Sequence, residues 1–104
     1  MKVTSESNFL KVVEENEAYT IQYGSLRKGS NTNVEIFITG ASHLSASKTC
    51  QCTQPTIEIL PDSIKLTIKY DSNKVGTINQ QVKEKVQVGE EQKTIIFNLK
   101  GQII

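Results

Sequence analysis

The strongest constraint on the fold is a run in which apolar and polar side chains alternate residue by residue. From Ile64 to Tyr70 the sequence reads Ile-Lys-Leu-Thr-Ile-Lys-Tyr. Successive side chains of a β-strand point to opposite faces of the sheet, so this run predicts a strand with one buried and one solvated face. A helix would need apolar residues three and four positions apart, and the sequence shows no convincing stripe of that kind.

The same alternation recurs along the chain. Val and Ile number 20 against 9 Ala and Leu, which favours strands because β-branched side chains suit a pleated surface. In the run from 78 to 88, Gln80 and Glu84 interrupt an otherwise apolar face. The predicted strands centre on residues 18–23, 34–39, 57–59, 64–70, 78–88 and 95–99. Turn-forming residues separate them at 24–33, 40–42, 61–63, 71–76 and 89–91.

These elements predict an all-β fold. A chain of 104 residues fits one small domain. About seven short strands with a turn every 8–12 residues are typical of a two-sheet antiparallel β-sandwich of immunoglobulin-like type, since a single sheet would leave an apolar face uncovered. We assign residues 18–104 to the sandwich and residues 1–17 to an N-terminal strand or docking arm. The chain has no Trp and no distant pair of cysteines, so hallmarks of an antibody domain are missing.

Charge and hydropathy exclude several classes of protein. The net charge is +1 and the chain has one Arg, whereas a nucleic-acid surface needs clustered cations and stacking aromatics. No segment approaches the run of about 20 apolar residues that a membrane-spanning helix requires. The apolar run from Phe9 to Val13 is too short for a signal-peptide core, so we expect no leader and synthesis in the cytoplasm. We expect no cofactor and no small-molecule substrate.

The segment Cys50-Gln51-Cys52 is the most concentrated chemical group, and three hypotheses compete for it. Two thiolates can provide part of a soft metal site, although His43, the one histidine, leaves a zinc set incomplete. A disulfide across so short a ring would suit thiol exchange. The favoured interpretation is structural, with reduced thiols of which at least one packs as a small apolar side chain.

His43 is the one residue that suggests general-base catalysis, with Ser42 or Ser45 as the nucleophile. On an extended strand Ser42 and His43 point to opposite faces, so their spacing gives no support to a triad. We therefore expect a structural histidine and a protein that is not an enzyme.

A set of short motifs resembles a known family. The motifs are Tyr23-Gly24-Ser25-Leu26-Arg27-Lys28-Gly29, Thr49-Cys50-Gln51-Cys52-Thr53, Leu60-Pro61-Asp62, Tyr70-Asp71-Ser72 with Gly76, and Leu99-Lys100-Gly101. In this order they resemble a bacterial and phage family of immunoglobulin-like domains of unknown function with a Cys-Gly-Cys-Thr core motif. Gln51 replaces the central glycine of that motif, and Asp62 replaces the glycine that follows the proline.

The resemblance implies a non-catalytic module that offers sheet edges and loops to other proteins. The bare domain is similar to auxiliary proteins that decorate phage capsids, so we expect a virion protein that binds the major capsid protein. The alternatives are a cellular immunoglobulin-like module that binds other proteins, and a Cys-x-Cys metal or redox protein. Apolar side chains near the two termini are the candidate partner-binding residues: Phe9, Leu10, Val12, Val13, Ile103 and Ile104.

Overall fold

The structure, a computed structural model, describes residues 1–15 and 18–104, with the backbone alone described for residues 10–15. Within that part of the chain, regular structure consists entirely of strands. The nine strands are β1 (Lys2–Thr4), β2 (Leu10–Glu15), β3 (Ala18–Leu26), β4 (Val34–Thr39), β5 (Ser42–Lys48), β6 (Thr53–Ile59), β7 (Ser63–Tyr70), β8 (Gly76–Val88) and β9 (Glu91–Ile103).

The strands form two sheets. One has the order β1-β4-β7-β6, and the other has the order β2-β3-β9-β8-β5. The first order matches strands A, B, E and D of an immunoglobulin domain, and β9, β8 and β5 match G, F and C. The chain is therefore an immunoglobulin-like β-sandwich, as the alternating pattern predicts. Neighbouring strands are antiparallel except β3 and β9, which pair in parallel.

Two differences explain why nine strands are present where about seven were predicted. The N-terminal segment supplies two short strands, β1 and β2, that pair with different sheets. Strand β5 was not predicted, because Ser42-His43-Leu44-Ser45-Ala46-Ser47-Lys48 lacks apolar alternation. It lies at the edge of its sheet, where β8 is its one partner among the described strands, so most of its side chains face solvent. The predicted boundary of the N-terminal arm at residue 17 lies outside the described residues.

The core lies between the two sheets, where the inward-facing residues of the alternating strands meet. Ile95, Phe97 and Leu99 of β9 are fully buried, as predicted. Removing such a side chain from water stabilises the fold by about 1.5–3 kcal/mol. The ring of Phe97 stacks on Tyr19 with a centroid separation of 5.6 Å. The buried apolar residues are Tyr19, Ile21, Tyr23, Val34, Ile36, Ile38, Ile64, Leu66, Ile68, Ile78, Val82, Val86, Ile95, Phe97, Leu99 and Ile103.

The sandwich is elongated, 44 Å by 25 Å by 24 Å, and has two distinct ends. At one end, which we call the cleft end, the connections at residues 40–41, 60–62 and 89–90 meet. At the other, which we call the distal end, the connections at residues 27–33, 49–52 and 71–75 meet. No helix long and apolar enough to cross a membrane occurs in the described residues.

Candidate functional site

An open cleft of about 630 Å³ lies at the cleft end. Three connections that are distant in sequence form its walls, because β4 and β8 both reach this end and β7 begins there. The equivalents of two of them, the B–C and F–G loops, belong to the antigen-binding end of antibody variable domains. The cleft is lined by Gly40, Ala41, Ser42, His43, Ile59, Leu60, Pro61, Asp62, Ser63, Ile64, Gln87 and Gly89.

His43 reaches the cleft from the edge strand β5. Its Cα partner on β8 is Val86, and the next partnered residue, Ser45, pairs with Lys85, so Leu44 is an extra residue in a β-bulge. Because Val86 is buried, the residue opposite it faces the inside of the sandwich. Ser42 is exposed and pairs with Gln87, so Ser42 and His43 point to opposite faces as predicted.

Beneath the cleft, His43 is paired with a buried carboxylate. Glu84 lies two residues before Val86 on the inward face of β8, and its side chain is 0% exposed. The Nδ1 atom of His43 lies 2.5 Å from Oε1 of Glu84, while the imidazole remains 24% exposed. Diagonal neighbours on adjacent strands come close enough for long side chains to touch, which accounts for this contact. Glu84, one of the two residues that interrupt the apolar pattern of β8, is thus buried in the core.

The other oxygen of Glu84, Oε2, has no hydrogen-bond partner among the described residues. Burial raises the pKa of the Glu84 carboxyl, and the hydrogen bond and charge of His43 partly oppose that rise. A carboxyl that holds Nδ1 of an imidazole fixes the orientation of the ring and leaves Nε2 as the remaining polar atom. The arrangement therefore presents one oriented imidazole at the cleft.

The pair does not extend to a nucleophile. A catalytic triad needs a hydroxyl or thiol within hydrogen-bond reach of the imidazole. The hydrogen bonds of the described residues include none between His43 and Ser42 or Ser45. No group of three or more His, Cys, Asp or Glu side chains in the described part of the chain is arranged to hold a metal ion.

Cys50 and Cys52 lie at the distal end, away from His43, and form a disulfide. The expectation of reduced thiols is wrong for this structure, and sulfurs bonded to each other are not the thiolates that bind a metal. The disulfide is the form that the thiol-exchange hypothesis assumes, and it lies in a turn where both cysteines are partly buried. Thr53 is 0% exposed, and both its amide and its hydroxyl donate hydrogen bonds to the carbonyl oxygen of Cys50.

The candidate partner-binding residues divide between surface and interior. Ile103 is 2% exposed, so it belongs to the core and is unavailable to a partner; it is buried because β9 continues beside β3 as far as Leu26. Ile104 is 58% exposed. Phe9 is partly buried, with its ring 5.0 Å from that of Tyr23.

For three of these candidates the structure describes the backbone alone. The backbone of Leu10 pairs with Ile21 in the hairpin of β2 and β3. The side chains of Leu10, Val12 and Val13 lie outside the described part of the structure.

Sequence analysis did not single out the two large apolar side chains that are most exposed among the described residues. Val75 is 68% exposed and Ile59 is 66% exposed. Ile59 ends the alternating run of β6 just before Leu60 and Pro61, where the strand runs past the core. Its position in the sequence indicates this exposure, because an apolar residue at the end of a strand lies at the rim of the sandwich.

Comparisons with known proteins do not assign the chain to a family. The sequence matches none of the models of known protein families, and no similar chain was found among curated proteins or among solved structures. The resemblance to the immunoglobulin-like family therefore stays an expectation drawn from short motifs.

Proposed function

We propose that this chain is a non-enzymatic structural module that binds a protein partner within a larger assembly. The expected assembly is a phage virion, and the expected partner is the major capsid protein. The family resemblance supplies that setting. The geometry supports the binding mode through one observation: the edge strand β6 carries unpaired backbone groups next to the exposed side chain of Ile59.

The register of β6 shows which backbone groups are free. The amide of Leu60 donates to the carbonyl oxygen of Ser63, which makes these two residues a hydrogen-bonded pair at the turn. In an antiparallel ladder such pairs alternate with non-bonded ones, so Glu58 and Thr56 direct their backbone groups to β7. Ile57 and Ile59 direct theirs outward, where the described part of the chain adds no further strand to the sheet.

The free edge is short. Pro55 lies two residues before Ile57, so its backbone nitrogen also points outward. It has no amide hydrogen to donate, and proline on an edge strand restricts pairing with another chain. Strand addition is therefore confined to the part of β6 nearest the cleft end. A partner strand there would gain main-chain hydrogen bonds from Ile57 and Ile59 and would bury the side chain of Ile59. With a net charge of +1, contacts of this kind rely on shape and apolar burial more than on long-range attraction.

The substitution Ile57→Pro tests this mode. It removes an outward amide hydrogen and leaves the bonds to β7 intact, because Ile57 does not donate to that strand. We expect it to abolish cosedimentation with purified capsid shells while the circular dichroism spectrum is retained. The matched control is Ile57→Ala, which removes most of the same partly buried side chain and leaves the outward amide in place.

Fractionation of the native particle tests the biological setting. The proposal predicts that the chain copurifies with virions at a constant ratio to the major capsid protein. A monomeric cytosolic protein that is absent from purified virions would overturn it. Recovery of a cellular protein by the wild-type chain, but not by Ile57→Pro, would point to the cellular binding module instead.

A further inference from the structure

The disulfide between Cys50 and Cys52 closes a very short loop, since Gln51 is the single residue between the two cysteines. A disulfide stabilises a fold mainly by restricting the unfolded chain, and the restriction grows with the length of the loop that the bond closes. A loop this short restricts the unfolded chain very little. The bond can therefore open while the rest of the sandwich stays folded.

The turn that carries the disulfide is held by hydrogen bonds that involve neither sulfur. The amide and the hydroxyl of Thr53 both donate to the carbonyl oxygen of Cys50. On the other side of the turn, the amide of Asp71 donates a hydrogen bond of 2.7 Å to the carbonyl oxygen of Cys52. Breaking the bond between the sulfurs leaves these contacts intact, so both cysteines would keep their positions after the disulfide opens.

The two sulfurs have different surroundings. The amide of Cys52 donates a hydrogen bond of 3.0 Å to Sγ of Cys50. A hydrogen bond donated to a charged group favours its charged form, so this amide stabilises negative charge on Sγ of Cys50. In thiol–disulfide exchange, the sulfur that bears negative charge better leaves faster, and the incoming thiolate bonds to the other sulfur. The contact therefore favours Cys50 as the leaving sulfur and Cys52 as the sulfur that is attacked.

Cys52 also borders a space that a small thiol can enter. An open depression of about 300 Å³ at the distal end is lined by Gln51, Cys52, Gln54, Lys69, Asp71 and Asn73. This volume lies near the lower limit for small-molecule sites, and the side chains that line it are polar. Lys69 is exposed and provides a cation, while the carboxylate of Asp71 accepts a hydrogen bond from the amide of Asn73. The depression therefore suits a small hydrophilic thiol.

The surface around the depression is mainly positive. Two carboxylates lie at the distal end, that of Asp71 and the terminal one of Ile104, whose carbonyl oxygen accepts a hydrogen bond from the amide of Lys28. Exposed cations at this end, including the residue next to β5 and the one in the lining, are Arg27, Lys28, Lys48, Lys69 and Lys74. An excess of cations raises the local concentration of an anionic reagent such as a thiolate.

We propose that Cys50–Cys52 is a thiol-exchange site that accepts a small hydrophilic thiol at Sγ of Cys52. The incoming thiolate forms a bond to Sγ of Cys52, the bond between the two cysteine sulfurs breaks, and its electron pair goes to Sγ of Cys50. A second thiolate then attacks the sulfur of the bound thiol and releases Cys52. Two thiols are thereby oxidised to one disulfide, and the two cysteines receive the two electrons and the two protons.

Reaction of the folded wild-type chain with glutathione at pH 8 tests whether the site opens without unfolding. The rate of opening should rise in proportion to the glutathione concentration, and the circular dichroism spectrum should be retained after the disulfide has opened. A rate that does not change with the glutathione concentration would show that unfolding limits the reaction, and this result would overturn the proposal.

The position of the first bound glutathione tests which sulfur is attacked. Acid stops the exchange because it protonates the thiolates. Mass spectrometry of early, acid-quenched samples should find glutathione on Cys52 and a free thiol at Cys50. Glutathione on Cys50 in an equal or larger amount would contradict the assignment of Cys50 as the leaving sulfur.

A pair of lysine variants tests the place of the attack. Lys69→Gln should lower the second-order rate constant at least about threefold at about 20 mM salt, and this difference should shrink at about 500 mM salt because exposed charges are screened. The matched control is Lys2→Gln, which removes an exposed cation at the cleft end, where Lys2 pairs with Thr39. It should react like the wild type.

Equal rate constants for Lys69→Gln and Lys2→Gln, with both variants folded by circular dichroism, would show that the thiolate does not enter through the depression. The inference does not depend on the capsid partner, so absence of the chain from virions would leave it standing.

Discussion

Replacing Glu84 with glutamine should raise the free energy of unfolding at pH 8. The glutamine keeps the shape of the side chain and one hydrogen bond to His43, while it leaves one neutral amide group without a partner. A buried unsatisfied polar group costs about 1–3 kcal/mol, and a charged one costs more. Because Oε2 of Glu84 has no partner among the residues that the structure describes, we expect a gain of about 1–2 kcal/mol at pH 8.

The raised pKa of Glu84 determines how the stability difference changes with pH. Burial raises the pKa of Glu84 above its ordinary value of 4.5, so the folded protein holds the proton more tightly than the unfolded chain. The stability that this proton provides is complete below pH 4.5 and is lost as the pH rises through the raised folded pKa. The difference between Glu84→Gln and the wild type should therefore grow with pH.

Urea unfolding at pH 4, 6 and 8, followed by circular dichroism, measures this difference. Glu58→Gln is the matched control, because the Glu58 side chain is 63% exposed and lies 4.0 Å from Lys65. That control should track the wild type at each pH. A Glu84→Gln advantage that is the same at all three pH values, or that is larger at pH 4, would refute the reasoning.

Three further outcomes follow from single contacts. Gly101→Ala should destabilise the fold by about 2 kcal/mol or more in urea unfolding. Its Cβ would lie 2.7 Å from the carbonyl oxygen of Gly24, at a backbone φ of +144°. Tyr23→Phe should cost about 1 kcal/mol in the same assay, because the tyrosine hydroxyl donates a buried hydrogen bond of 2.9 Å to the carbonyl oxygen of Thr32. Mass spectrometry after alkylation should find no modified thiol before reduction and two afterwards at Cys50–Cys52.

Each of these outcomes has a result that contradicts it. Gly76→Ala is the control for the glycine, since it shares a positive φ of +155° but has nothing within 4 Å of an added Cβ. Equal losses for the two alanine variants would show that the close approach to β3 is unimportant. A Tyr23→Phe variant as stable as the wild type would deny the hydroxyl its structural role. Alkylation of the untreated protein would contradict the disulfide.

The sequence predicts those strands in which alternating side chains determine which face is buried. Strands β4, β7 and β9 each have one face against the core, so apolar residues recur at every second position. Strand β5 lacks this alternation because it lies at an edge and buries little of either face. Its position depends on pairing with β8, and the paired residues lie more than 30 positions apart along the chain.

The candidate site was hidden for the same reason. Glu84 breaks the apolar pattern of β8, and a pattern alone suggests that such a residue is solvated. Its burial depends on His43, 41 residues earlier, on the strand that the pattern missed. The cleft likewise needs three connections that only the closed sandwich brings together. Local sequence periodicity carries no information on such long-range contacts.

The pairing between β5 and β8 is the contact to measure, because it forms one wall of the cleft and places His43 against Glu84. Nuclear Overhauser spectra should show backbone contacts across the pairs Ser42–Gln87 and His43–Val86, with the register broken at Leu44. If the β5 amides show no contacts to β8 and exchange with solvent as fast as those of an unfolded segment, the pairing is absent. The cleft and the contact between His43 and Glu84 would then not form.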